Sequence, residues 1–232
     1  MKLILKRYFV PNIVSLSSIL AGFISIVMAG YGEIRFAASM IILGALFDSL
    51  DGVLARGLKA MSQLGKEIDS LSDVITFGVA PGYLLYHATL YKFGNLGILV
   101  SALLPIFAAL RLARFNVKPT YRYFEGLPST FAGLSIALLQ GYYIHYFSPL
   151  FYLIFALALS MLMISKLKYL KPGLNKIVPF TRKNAFITLI ILLSLLFFFK
   201  WTILFFVFLY LLSGIFNSII FNKKMDYIKI NS

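Results

Sequence analysis

The sequence predicts an all-α fold: a polytopic membrane helix bundle of about eight transmembrane helices. Three observations predict it. Of the 232 residues 60% are apolar, with a mean hydropathy of +0.89, whereas globular domains run at about 45–50% apolar. Only 13% are charged, about half the share that covers a soluble surface. Several apolar runs approach or exceed the roughly 18–20 residues that cross a bilayer as a helix.

The first span is predicted over Val10–Gly30. Pro11 falls in its first turn, where a missing N–H is harmless. Asn12 is polar where this helix enters the membrane and suits a cap or an interfacial position. The basic start MKLILKRYFVPN has the charge of a secretory signal, but the apolar run is long and lacks a small-residue cleavage site, so a retained span is expected. Span 2 is predicted over Phe36–Ala55 and span 3 over Gly65–Tyr86. The short link through Lys59 makes these two antiparallel neighbours. Span 4 covers Leu96–Phe115 with Pro105 inside it, which membrane helices tolerate. Span 5 covers Leu127–Tyr146 and span 6 Pro149–Ser165. The basic stretch KLKYLKPGLNKIVPFTRKN follows, suited to anionic headgroups. The last two spans are Ala185–Phe199 and Trp201–Phe221 around Lys200, a pair that also fits one long or re-entrant element.

The net charge of +14 invites a nucleic-acid partner, but the cations flank apolar spans as cytoplasmic anchors do. No nucleic acid is expected. With the N-terminus in the cytoplasm, only Arg35, Lys92 and Lys200 of the 22 Lys and Arg fall on the far face. Both termini are then cytoplasmic, in a cell membrane. The chain has no cysteine, which excludes disulfides and thiolate metal sites. His87 and His145 stand alone on the outer side and read as interfacial, since no zinc ligand set accompanies them.

One stretch contradicts the apolar character. Asp48, Asp51, Asp69 and Asp73 are half of the eight acidic residues. Each ionised carboxylate at the bilayer centre costs roughly 2.5–3.5 kcal/mol, so a cation is expected among them. Spacings of three and four put each pair on one helix face, and both faces point to the cytoplasmic ends of spans 2 and 3. Hard oxygen ligands suit Mg²⁺, Mn²⁺ or Ca²⁺. Two such ions would clamp the oxygens of a phosphoryl transfer. Gly52 and Ala55 leave room beside the acids, and Arg56, one turn beyond Gly52, suits a phosphate. A divalent-cation transporter is a second reading of the same acids, although polar residues crowd only one side of the membrane.

The pattern Asp48-x₂-Asp51-Gly52-x₂-Ala55-Arg56-x₈-Gly65-x₃-Asp69-x₃-Asp73 resembles, at every fixed position, the signature of the CDP-alcohol phosphatidyltransferase family. The resemblance covers about residues 8–135. It implies a core of six helices and one integral-membrane domain over 1–232, with the catalytic core at about 8–165 and extra C-terminal spans at about 185–221. It further implies two divalent ions, Mg²⁺ or Mn²⁺, held by Asp48, Asp51, Asp69 and Asp73, with Asp73 as general base. Asn12, Gly52, Ala55, Arg56, Ser62 and Gly65 would bind the CDP-diacylglycerol donor. The stretches Phe77–Pro81, Arg111–Asn116 and Phe124–Ser129 are similar to the serine-transferring branch, although Thr130 stands where relatives often carry a further proline. L-serine is then the expected acceptor, with Arg111, Arg114 and Asn116 as contacts to phosphate or to the serine carboxylate. Glycerol-3-phosphate and inositol remain alternative acceptors. A homodimer among membrane lipids is implied as well.

Overall fold

The computed structural model describes residues 2–58, 60, 62–117, 123–170 and 208–214. In chain order the helices up to residue 164 are α1 (Lys2–Gly30), α2 (Ile34–Gly57), α3 (Gln63–Val74), α4 (Ala80–Ala88), α5 (Gly94–Val117), α6 (Ser129–Tyr143) and α7 (Pro149–Ile164). A π-helical turn, Ile75–Val79, joins α3 to α4, and a 3-10 turn, Leu90–Phe93, precedes α5. Among the described residues the only strands are β1 (Tyr123–Glu125) and β2 (Lys168–Leu170). The chain divides into two units: Met1–Pro119 with Pro128–Ser165, and Thr120–Leu127 with Lys166–Ser232.

In the first unit α1 shows why its sequence forms a membrane helix. Leu16, Leu20, Phe23 and Val27 are spaced by four, three and four and stay exposed, an apolar stripe suited to a membrane interior. On the opposite face Ser15, Ser18, Ala21, Ser25 and Ala29 are buried. Small residues of this kind let helix backbones approach closely. The contact is fastened by hydroxyls. Ser18 Oγ donates to the Gly44 carbonyl of α2 at 3.1 Å, and Thr76 Oγ1 donates to the Ser18 carbonyl at 2.8 Å. Among the described residues three helical stretches are long and apolar enough to cross a membrane: Pro11–Gly30, Ile34–Gly57 and Leu90–Val117. Pro149–Ile164 is apolar but shorter. The chain is thus a helical membrane protein.

Two elements differ from the sequence expectation. Helix α1 starts at Lys2, so Pro11 lies inside it rather than in its first turn. The loss is one donor, to the carbonyl of residue 7, and the helix continues through it. The third span is helical from Gln63 to Ala88 but contains the π turn. That turn is where α1, α2, α5 and α6 all make contact. Gly78 permits it: a Cβ at that position would stand 2.9 Å from the Pro105 Cα of α5.

In the second unit β1 and β2 pair antiparallel, with Phe124 opposite Tyr169. Gly126, at φ +76°, turns the chain beyond β1 and donates its N–H to the Leu167 carbonyl at 2.9 Å. The Tyr169 ring lies 5.5 Å from the Tyr210 ring, on a short helix over 208–214. That helix falls within the last expected span. The rest of the two C-terminal spans, the basic stretch beyond 170, and Lys59, Lys118 and Arg122 lie outside the described residues.

Candidate active site

Asp48 and Asp51 project from α2, and Asp69 and Asp73 from α3. Carboxylate oxygens of Asp48, Asp51 and Asp69 lie within 4.8 Å of one another. Asp73, one turn farther along α3, is not in that trio but is within hydrogen-bond reach of Asp48, as is Asp69. Two ionised carboxylates this close repel by roughly 4 kcal/mol at an effective dielectric of about 20. Asp73 Oδ1 is buried without a hydrogen-bond partner, an arrangement that costs about 1–3 kcal/mol unless something electropositive meets the oxygen. An all-carboxylate donor set with an orphaned oxygen fits hard divalent cations such as Mg²⁺ or Mn²⁺.

Next to the acids is a cleft of roughly 200 Å³. Asn12, Gly52, Ala55, Arg56, Ser62 and Gly65, the six residues expected on the nucleotide side, all line it, together with Asp51 and Asp69. Local structure explains part of this wall. Ser62 has extended backbone and caps α3, its Oγ accepting the Gly65 N–H at 3.0 Å, which satisfies one of the donors left open at a helix start. A Cβ at Gly65 would come 3.0 Å from Asn12 Oδ1, so glycine lets α1 close on the start of α3. At Gly52 the nearest atoms a Cβ would meet belong to the Arg56 guanidinium, at 3.4 Å. Its absence keeps the space under that cation open. Lys66, which the sequence expectation omitted, also lines the cleft. Its position beside Gly65 was the available signal.

The three residues expected at the acceptor side part company. Arg111 is buried, and its Nη1 donates to Ser129 Oγ at 3.2 Å. Ser129 Oγ in turn donates to Asp73 Oδ2 at 3.3 Å. The Arg111 guanidinium is also near enough to act electrostatically on Asp73. Asn116 Nδ2 donates to Ser70 Oγ at 3.0 Å, beside Asp69 in sequence. Arg114 instead donates through Nη1 to the Ile164 carbonyl at the end of α7, 3.2 Å away. The sequence singled out Ser129 only as the last residue of the stretch Phe124–Ser129, with no chemical role. Its one signal was its place directly after Gly126-Leu127-Pro128, at the first residue of α6.

A family model described as CDP-alcohol phosphatidyltransferase matches residues 8–178. The chain belongs to the CDP-alcohol phosphatidyltransferase family. The match runs from within α1 through α7 and takes in Asp48, Asp51, Asp69, Asp73 and the residues that line the cleft. Among relatives, the CDP-diacylglycerol–serine O-phosphatidyltransferase of Helicobacter pylori is 36% identical over 198 residues, 82% of this chain and 82% of that protein. The enzyme of the same name from Bacillus subtilis is 36% identical over 165 residues, 69% of this chain and 89% of its own. The archaetidylserine synthase of Methanothermobacter thermautotrophicus is 39% identical over 162 residues, 68% of each chain.

Proposed function

We propose that this chain transfers the phosphatidyl group of CDP-diacylglycerol to L-serine, giving phosphatidylserine and CMP. One observation carries it: the carboxylates of Asp48, Asp51 and Asp69 converge at a cleft lined by Gly52, Ala55, Arg56 and Gly65. The serine-specific names of its relatives support the acceptor.

Asp48, Asp51, Asp69 and Asp73 would hold two Mg²⁺ or Mn²⁺ ions, which supply positive charge against the diphosphate and the departing CMP oxygen. Arg56 and Lys66 at the cleft add fixed cations for the same phosphates. Asn12, Ser62, Gly65 and Ala55 shape the nucleotide side. The serine hydroxyl oxygen attacks the phosphorus that bears diacylglycerol. Its new bond to phosphorus replaces the one to the bridging oxygen, and CMP leaves with that electron pair. Asp73 takes the hydroxyl proton. Its Oδ2 is held by Ser129, while Oδ1 is without a partner and available to accept. Arg111, on the same side of Asp73, offers a planar fork to the serine carboxylate, with Asn116 nearby and Arg114 in a more distant role. The acyl chains lie against exposed apolar helix faces such as that of α1.

The same reading includes eight spans around a core of six in a cell membrane, with both termini and the site cytoplasmic. The flanking of spans by Lys and Arg supports that orientation. It also includes one domain over 1–232 and a homodimer, which light scattering of the purified protein would measure. The decisive assay is CMP release by purified protein from CDP-diacylglycerol, with serine, glycerol-3-phosphate and inositol offered separately. Metal-dependent release with serine is expected. Turnover with another alcohol but not serine would overturn the acceptor. Mn²⁺ flux in liposomes with no CMP release from any alcohol would overturn the enzyme.

A further inference from the structure

Ser15 on the inward face of α1 has no part in the chemistry above, yet it touches both acidic helices. It is buried, 4% exposed. Its Oγ lies 2.5 Å from Asp51 Oδ2 across 36 residues of sequence, and 3.2 Å from the Pro11 carbonyl one turn back. A hydroxyl has one proton to give. The shorter contact to a charged acceptor takes it, because charge-assisted hydrogen bonds are about twice as strong as neutral ones. The Ser15 carbonyl accepts a bond from Ser72 Oγ at 3.1 Å, and Ser72 immediately precedes Asp73. A serine in a membrane helix commonly does no more than bond the carbonyl four residues back. Ser17 does this, donating to the Ile13 carbonyl at 2.9 Å. Ser15 differs in its burial, in its longer back-contact and in its cross-helix carboxylate.

We propose that Ser15 is a positioning residue for the divalent-ion site: its hydroxyl grips one oxygen of Asp51 and fixes the carboxylate in the orientation in which it meets Asp48 and Asp69. The inference rests on the reading of Asp51 as a metal ligand. Groups that hydrogen-bond a ligating side chain orient it, and losing one typically weakens metal affinity about 10- to 100-fold. Ser15 also ties this aim to the α1–α3 contact through Ser72, so α1 contributes to the site without offering a ligand.

The test is Mn²⁺ binding to the purified full-length chain, followed by the electron paramagnetic resonance signal of free Mn²⁺, so that the dissociation constant of the folded fraction is read apart from its amount. Ser15→Ala is expected to weaken binding about 10- to 100-fold. Ser15→Thr keeps the hydroxyl and restores affinity to within a few-fold of the parent. Ser15→Cys keeps the shape with a weak donor, in a chain with no other cysteine, and falls between the two even if Ser15→Ala does not fold. Ser17→Ala binds like the parent. A parent-like dissociation constant in Ser15→Ala or in Ser15→Cys overturns the proposal, as does a Ser15→Thr as weak as Ser15→Ala. Asp51→Asn separates the two levels. If it weakens binding while Ser15→Ala does not, only the positioning role falls. If Asp51→Asn binds like the parent, the metal reading of Asp51 falls with it.

Discussion

Replacing Gly133 by alanine tests whether packing far from the acids sets the geometry of the base. Gly133 lies on α6, one turn after Ser129, against Phe77 in the π turn. A Cβ there would stand 2.7 Å from both the Cα and the carbonyl oxygen of Phe77, where ordinary contact begins at 3.4 Å. The obstacle is backbone, so side-chain rotation cannot relieve it, and α6 and the π turn must separate by about 0.7 Å. Ser129 moves with α6. Its bond to Asp73 already spans 3.3 Å, and the same displacement would stretch it to about 4 Å, past hydrogen-bond range. Overpacking of this kind costs about 1–3 kcal/mol. For a chain of this size that lowers Tm by roughly 3–10 °C. Gly57→Ala is the control, because nothing lies within 4 Å of a Cβ there. Thermal unfolding in detergent, paired with CMP release from the same preparations, should show both Tm and turnover falling for Gly133→Ala and neither falling for Gly57→Ala. A Gly133→Ala protein with parental Tm and turnover would refute the link between this contact and Asp73.

Three further outcomes follow from the site. Asp69→Asn and Asp73→Asn should each lower CMP release by at least about 10²-fold, and a chelator should abolish parental activity until Mn²⁺ or Mg²⁺ is restored. Full activity of both variants in chelator-treated membranes would end the metal-assisted reading. Arg56→Ala should raise the KM for CDP-diacylglycerol roughly tenfold, a modest figure because the guanidinium is exposed, while Arg56→Lys recovers only part of it because an ammonium lacks the planar fork. Measured with serine as the varied substrate, Arg111→Ala should raise KM far more than Arg114→Ala, since only Arg111 reaches the Ser129–Asp73 pair. The reverse order would move the acceptor subsite to the end of α7.

Much of the helical framework was legible because its causes are local. Gly30 ends α1 and Pro149 starts α7 as the sequence suggested, through chain breaks and capping positions that need no partner. The start of α1 was not legible, because Pro11 signals a first turn to any local rule, yet the helix tolerates the one missing donor. Gly78 within the π turn at Ile75–Val79 and Pro81 just after it suit a kink in the sequence, but not this particular turn. It is fixed by how closely Gly78 lets Pro105 approach, and Gly133 lets Phe77. The short pairing of β1 with β2 joins residues more than forty apart in sequence, again with nothing nearby to announce it.

The sequence by itself determined the membrane character of the chain and the placement of Asp48 with Asp51, and of Asp69 with Asp73, on single helix faces. Hydropathy and spacings of three and four are properties of one segment at a time. Only the tertiary structure decided that Ser15 meets Asp51 across 36 residues and that Ser129 meets Asp73 across 56. It also decided that Arg111 and Arg114, three apart on one helix, serve different neighbours. A hydroxyl reaches a carboxylate on another helix only if the backbones approach within a few tenths of an ångström of the right distance. Small residues on three different helices set that distance jointly.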